Sequence, residues 1–175
     1  MYAMRSCAAM GQATVTLQEG LYGNTAHDGR LARQRENNGS QRLEQAYHAL
    51  RFTPDEWQYF LFGHDIEDPE HDARHTRVEE LMWHVAIQAL KAGVDVILDF
   101  GFWTKSERDE FRRKAHAFGA ASKVHYMDVP KDVIWKRLSI RNQTAGENAV
   151  FYVGRKEFDE WAGLFEAPAQ EELDS

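Results

Sequence analysis

The chain has 175 residues, 43% of them hydrophobic and 28% charged, which is ordinary for one globular domain with its own core. A net charge of −7 argues against a general affinity for nucleic acid or for an anionic membrane surface, because both require clustered Lys and Arg. The single cysteine, Cys7, excludes an internal disulfide, and no apolar run reaches the length of a membrane span. We therefore predict a cytoplasmic protein without general nucleic-acid binding and without a membrane partner.

The N-terminal part of the chain differs in character from the rest. Residues 18–46 contain no convincing strand, and residues 33–42 are almost wholly polar, as in a solvated loop. From about Ala49 onward the local signals agree with one another. We therefore divide the chain into an atypical segment over residues 1–46 and an α/β domain over residues 47–175.

The α/β domain alternates strand and helix signals. This order is typical of crossover units, so the fold class predicted is α/β with a parallel sheet flanked by helices. A polar stretch at about 143–154 is predicted to be a short lid, and Pro168 with the acidic tail is predicted to end the fold. Strands are predicted from Leu50 to a break at Pro54, over 94–100 and over 123–129. Helices are predicted over 72–92, after Thr104 with Glu107 in a capping box, beside Pro130, and around Phe158 to Phe165.

Ligands of parallel sheets bind beyond the carboxyl ends of the strands, which selects residues 53–57, 99–104 and 128–131, with Asp55 and Asp99 as the candidate carboxylates. Asp55 follows the strand that breaks at Pro54. It is either a helix N-terminal acid favoured by the helix dipole behind a Thr53 cap, or a general base for a substrate hydroxyl, and both can hold. Asp99 ends the most hydrophobic strand, where NTPases often hold Mg²⁺. Residues 100–103 are more typical of a structural turn with core aromatics than of a substrate wall.

Three arginines form the other candidate group. Arg137 and Arg141 lie four residues apart on one predicted helix, and Arg155 follows the polar stretch. They are either a solvated basic face or a lid that closes over phosphates. His64, His71 and His75 are predicted to lie on the surface, and the histidine spacing does not favour a zinc site.

From Ala49 to about Glu171 the chain resembles AAA-type P-loop kinases related to zeta toxin, chloramphenicol phosphotransferase and the polynucleotide kinase 5′-kinase domain. The resemblance implies ATP and Mg²⁺ as cofactors and a small-molecule phosphate acceptor. It also implies Asp55 as the base, Asp99 near the metal, Arg137 and Arg141 in catalysis, and all three arginines at the nucleotide. An antitoxin partner is implied only if the protein is toxin-like. The segments that carry the resemblance are 50–57, 94–103, 126–130, 135–142, 158–161 and 165–168.

One motif of this family is missing. Gly-x-x-x-x-Gly-Lys-Ser/Thr cradles phosphates on backbone amides and a lysine, yet the chain contains no Gly-Lys pair. The codons that can encode residues 30–38, read one base later, can spell Gly-Leu-Pro-Gly-Ser-Gly-Lys-Thr-Thr. In the same frame, residues 25–29 can become an apolar strand. We therefore hypothesise that the chain is out of frame up to about residues 44–47, through a sequencing error, a mutation or a misassigned start.

The function predicted is transfer of the ATP γ-phosphate to a hydroxyl of a small-molecule or nucleotide-like acceptor. The alternative is a degenerate, non-catalytic protein that kept the fold and no longer binds ATP. The absent Gly-Lys pair favours the alternative, whereas Asp55, Asp99 and the arginines favour a recent loss or a reading error.

Overall fold

The computed structural model describes residues 13–19, 39–63, 68–144 and 153–174. These residues form an α/β fold, as predicted. No helix in these ranges is long and apolar enough to cross a bilayer. The elements in chain order are β1 (Ala13–Glu19), α1 (Gly39–Tyr47), β2 (Leu50–Phe52), α2 (Pro54–Phe62), α3 (His71–Lys91), β3 (Val96–Leu98), α4 (Lys105–Ala117), β4 (Ala120–Tyr126), α5 (Lys131–Thr144), α6 (Arg155–Ala162) and α7 (Gln170–Leu173).

The four strands form one sheet in the order β2-β3-β1-β4. β2 and β3 are parallel, whereas β1 is antiparallel to both of its neighbours, β3 and β4. Three strands therefore run in one direction and β1 alone is reversed. The sheet is thus mixed and not wholly parallel as expected, because a strand from the atypical N-terminal segment fills the position between β3 and β4.

Alternation explains why β1 can fill that position. Ala13, Val15 and Leu17 are buried against the apolar core on one side of the sheet, while Thr14 and Thr16 are buried on the other. Sequence analysis missed this strand, although the alternation was present to be found. The Thr16 hydroxyl is buried without a hydrogen-bond partner in the described structure. Because a buried hydroxyl without a partner costs about 1–3 kcal/mol of stability, a strand with an apolar residue in place of Thr16 would fit this position in the sheet better.

The helix signals in the middle of the chain are confirmed. α3 is followed by Gly93 at φ 76°, a left-handed conformation that favours glycine. α4 begins with the predicted capping box: the Glu107 amide donates to the Thr104 hydroxyl at 3.2 Å, and the Thr104 amide donates to the Glu107 carboxylate at 3.1 Å. α2 begins at Pro54 behind Thr53 in extended conformation, but the Thr53 side chain makes no capping hydrogen bond.

The acidic tail after Pro168 is packed into the fold. Glu172 of α7 is buried and faces Arg108 of α4, which is fully buried. Arg108 donates from Nε and Nη2 to the two carboxylate oxygens at 2.8 and 3.2 Å, and from Nη1 to the Glu166 carbonyl at 2.9 Å. These hydrogen bonds lower the pKa of Glu172. This pair fastens the C-terminal segment to the body of the domain.

Candidate functional site

Three elements converge at one edge of the sheet. β2 and β3 both end there, with Thr53 and Asp99 directly after them, and the Asp99 amide donates to the Phe52 carbonyl at 2.9 Å. The N-terminus of α1 also lies at this edge, because its Ser40 hydroxyl hydrogen-bonds the Asp99 carboxylate. A helix N-terminus carries partial positive charge, so this edge combines a carboxylate with a dipole suited to anions.

Asp99 lies at the centre of this edge with a side chain that is 14% exposed. Its carboxylate accepts from the Thr14 hydroxyl at 3.4 Å and from the Thr53 hydroxyl at 3.5 Å. Burial raises the pKa of Asp99, and the charges of Asp55 and Glu56 add to that rise, although Ser40 and Arg51 oppose it. The carboxylate is therefore short of positive charge, which is the electrostatic condition that a bound cation relieves.

Arg51, on β2, is a site residue that sequence analysis did not single out. Its Nη1 lies 3.6 Å from the Asp99 carboxylate and donates to the Thr53 hydroxyl. Its Nη2 contacts Glu56 at 3.0 Å, and its Nε contacts Glu44 at 3.2 Å. Burial lowers the pKa of Arg51, but these acids more than offset that effect and raise it. Arg51 stands between the apolar strand residues Leu50 and Phe52, and this pattern could have identified it from the sequence.

Asp55 lies in the first turn of α2 and is only 9% exposed. Behind it lies His75 of α3, whose Nε2 is 3.5 Å from an Asp55 carboxylate oxygen. The prediction that His71 and His75 are surface residues is wrong, since they are 4% and 1% exposed; His64 lies outside the described residues. Both buried histidines share the helical face of Val78 and Met82, and that spacing could have identified them.

The donor set at this edge fits magnesium only in part. Within the described ranges there is no group of three or more His, Cys, Asp or Glu side chains that could hold a metal ion. Mg²⁺ bound with a nucleotide commonly uses one or two protein oxygens, with phosphates and water completing its shell. Asp99, with its raised pKa, and the adjacent Ser40 and Thr53 hydroxyls suit that mode.

The three candidate arginines lie on α5 and α6. Arg137 is exposed on α5, and the side chain of Arg141 lies outside the described structure, as does most of the expected lid. Arg155 is exposed, pairs with Asp159 at 2.8 Å and lies over the Trp135 ring at 5.1 Å. Their role at a nucleotide stays a prediction.

A cavity of about 400 Å³ adjoins the carboxyl end of β4. Trp103, Tyr126 and Phe165 form aromatic walls, and the Tyr126 and Phe165 rings are stacked with centroids 5.9 Å apart. Asp128 and Lys131 supply polar groups at the lining. Phe100 and Phe102 belong to the core, as expected, whereas Trp103 also lines this cavity. The cavity can accommodate a flat, largely apolar group.

The α/β fold, with carboxylates and a helix N-terminus at one sheet edge, is consistent with the architecture of P-loop NTPase-like domains. A family model described as "AAA domain" matches residues 37–168, about three-quarters of the 175 residues. The chain therefore belongs to this AAA domain family. No curated protein and no solved structure matches it. β1 lies outside the matched range, which begins just before α1.

Proposed function

We propose that the protein is built as an ATP-dependent kinase that transfers the γ-phosphate to a hydroxyl of a small-molecule or nucleotide-like acceptor. The observation that carries the proposal is the meeting of Asp55, Asp99 and the α1 N-terminus at one sheet edge. A kinase of this type needs a base beside the acceptor, a carboxylate near the metal and a helix dipole toward the phosphates. Membership of the AAA domain family supports the nucleotide part.

Each residue has a distinct role in this proposal. Asp55 orients the acceptor hydroxyl and takes its proton as the oxygen attacks phosphorus. Asp99, with the neighbouring hydroxyls, would hold Mg²⁺, which when bound neutralises charge on the phosphates. Arg137 and Arg141 would offset charge on the transferring group, and Arg155 would contact the nucleotide. The aromatic cavity at Trp103 is a candidate position for the flat part of a bound molecule.

The second candidate is a non-catalytic domain that no longer binds ATP. Two observations favour it: the sequence contains no Gly-Lys pair, and β1 runs in reverse. A reversed strand has its N-terminal end at the functional edge, where Ala13 pairs with Tyr126. It therefore cannot lead directly into a phosphate loop at that edge.

The coding DNA from the codon of Thr25 to that of Arg51 separates the two candidates. If the shifted frame spells Gly-Leu-Pro-Gly-Ser-Gly-Lys-Thr-Thr, the gene encodes or recently encoded a kinase. If the bases cannot encode that loop, the non-catalytic domain becomes the better description. Isothermal titration with Mg-ATP adds a direct measurement: we expect no micromolar binding to the present chain, and such binding would contradict the loop's importance.

A version with the shifted-frame strand and loop in place of residues 25–38 tests the chemistry. We expect this loop-carrying chain to bind Mg-ATP and transfer phosphate, and D55N to lower kcat by about 10²–10⁴-fold while sparing ATP binding. E110Q, on the exposed face of α4, is the matched control. Unchanged turnover in D55N would remove Asp55 as the base.

Expression of the same loop-carrying chain also tests a toxin-like role. If the kinase acts on an essential metabolite, growth of the host should stop on induction, and an antitoxin partner is then required. Normal growth together with measurable phosphotransfer would leave a kinase without that role.

A further inference from the structure

We propose that His75 is a positioning residue for Asp55, and that its ring bridges the carboxylates of Asp55 and Glu79 with a proton on each nitrogen. The functional meaning of this bridge rests on the proposed role of Asp55 as the base, whereas the bridge itself does not. The structure brings the three side chains together from two helices, Asp55 from α2 and the other two from α3.

The geometry is that of an incomplete hydrogen-bonded chain. His75 Nε2 lies 3.5 Å from Asp55 Oδ1, and His75 Nδ1 lies 3.6 Å from Glu79 Oε1. Both ring nitrogens are inaccessible to solvent, and neither has a hydrogen-bond partner in the described structure. A buried polar atom without a partner costs about 1–3 kcal/mol. A contraction of about half an ångström at each contact would satisfy both nitrogens.

The chemistry of the neighbours fixes the protons. An ionised carboxylate only accepts hydrogen bonds, and a neutral imidazole has one donor and one acceptor. A neutral ring would therefore aim one lone pair at a carboxylate, whichever tautomer it adopts. Only the doubly protonated ring donates to Asp55 and Glu79 together. Among the described residues His71 also faces the ring, with its centroid 6.2 Å away, and it adds no negative charge.

This bridge also offsets the excess of negative charge at the sheet edge. The negative charges of Asp55 and Glu56 both disfavour ionisation of Asp99 and raise its pKa. Arg51 offsets this charge on the Asp99 side, through its 3.6 Å contact. A positively charged His75 offsets it on the Asp55 side. The bridge thus holds Asp55 by its Oδ1 oxygen and fixes the orientation of the carboxylate.

The test is a long-range ¹H–¹⁵N correlation spectrum of imidazole groups in the full-length ¹⁵N-labelled chain at pH 7. The chain has eight histidines, and H75Q assigns the His75 signals by their loss. We expect both His75 nitrogens to give the protonated pattern. E79Q should leave a neutral ring with its proton on Nε2, and D55N should leave a neutral ring with its proton on Nδ1. E80Q is the matched control, since Glu80 is exposed on the same helix, and should not change the pattern.

A neutral His75 ring in the unmodified chain would contradict the proposed bridge. This test needs no variant, so it remains valid even if a variant folds poorly. The same tautomer in D55N and E79Q overturns the bridge as well. Phosphotransfer is a separate readout: in the loop-carrying chain, H75Q should lower kcat by about 10–100-fold with an unchanged KM for ATP. A bridge in the spectrum together with full activity of D55N would refute the proposed role of Asp55, and not the bridge.

Discussion

Two arginine–carboxylate pairs in this molecule, one buried and one partly buried, have opposite electrostatics. Arg108 and Glu172 join α4 to α7, and the pKa of Glu172 is lowered by the hydrogen bonds from Arg108. Arg51 and Asp99 lie at the candidate site, and the pKa of Asp99 is raised, because burial and two further acids outweigh Arg51. The charges of Arg108 and Glu172 balance each other, whereas the surroundings of Arg51 and Asp99 contain more negative than positive charge.

The difference separates residues that hold the fold from residues that are poised for a ligand. A matched buried pair needs nothing further, and breaking it leaves an uncompensated charge in the interior. A crowded cluster costs stability until a cation or a proton enters it. The predictions below test this contrast, and each is a measurement of the free energy of unfolding by urea.

The largest effect is expected at the matched pair. E172A leaves the fully buried Arg108 guanidinium without its carboxylate, and should cost about 3–5 kcal/mol at pH 7. Because the folded pKa of Glu172 lies below its usual 4.5, the contribution is complete above pH 4.5 and is lost as the pH falls through the folded value. E110A, which removes the exposed partner of Lys114, should cost less than about 1 kcal/mol. Equal losses in both variants would contradict the contrast.

The next effect concerns His125 of β4, a partly buried histidine close to the positive charge of Lys123. Burial first, and the charge of Lys123 second, lower the pKa of His125 from 6.5 to about 4. Its neutral ring contributes stability that is present above pH 6.5 and is lost between pH 6.5 and about 4, on the order of 3 kcal/mol over that range. H125F should remove this part of the pH dependence. A pH profile identical to that of the unmodified chain would show that His125 is not the group that titrates.

The smallest effect has the opposite sign. D99N removes a charge from the crowded cluster and should stabilise the fold by about 1 kcal/mol at pH 7. The folded pKa of Asp99 lies above 3.8, so the unfolded chain loses this proton first and stability falls as the pH rises through the folded value. The advantage of D99N should therefore vanish below about pH 3.8. A loss of stability at pH 7 would show that Asp99 is matched after all.

Much of the local structure could be predicted from the sequence because its causes are local. The Thr104 capping box and the Gly93 stop depend on residues within a few positions of each other. The contacts that make the site join distant positions: Thr53 meets Asp99 across 46 residues. His75 was misjudged because its sequence neighbours are polar, while its helical face is apolar.

The direction of β1 in the sheet is a second feature that the sequence could not predict. The three strands within the matched family range share one direction, as the alternation of strands and helices predicts. The alternation of apolar and polar residues in β1 indicates a strand. A pattern of period two is the same in both chain directions, so it does not predict that β1 runs antiparallel to its neighbours.

The reversed strand also determines the order in which the molecule can assemble. Ala13 pairs with Tyr126, more than 100 residues along the chain, so β1 contributes the least local contacts of the sheet. Until it inserts, β3 and β4 each have an unpaired edge in the middle of the future sheet, and such edges recruit strands from other chains. β1 is synthesised first but can insert into the sheet only after β3 and β4 have formed. We therefore expect folding to depend on chaperones and the soluble yield to be low.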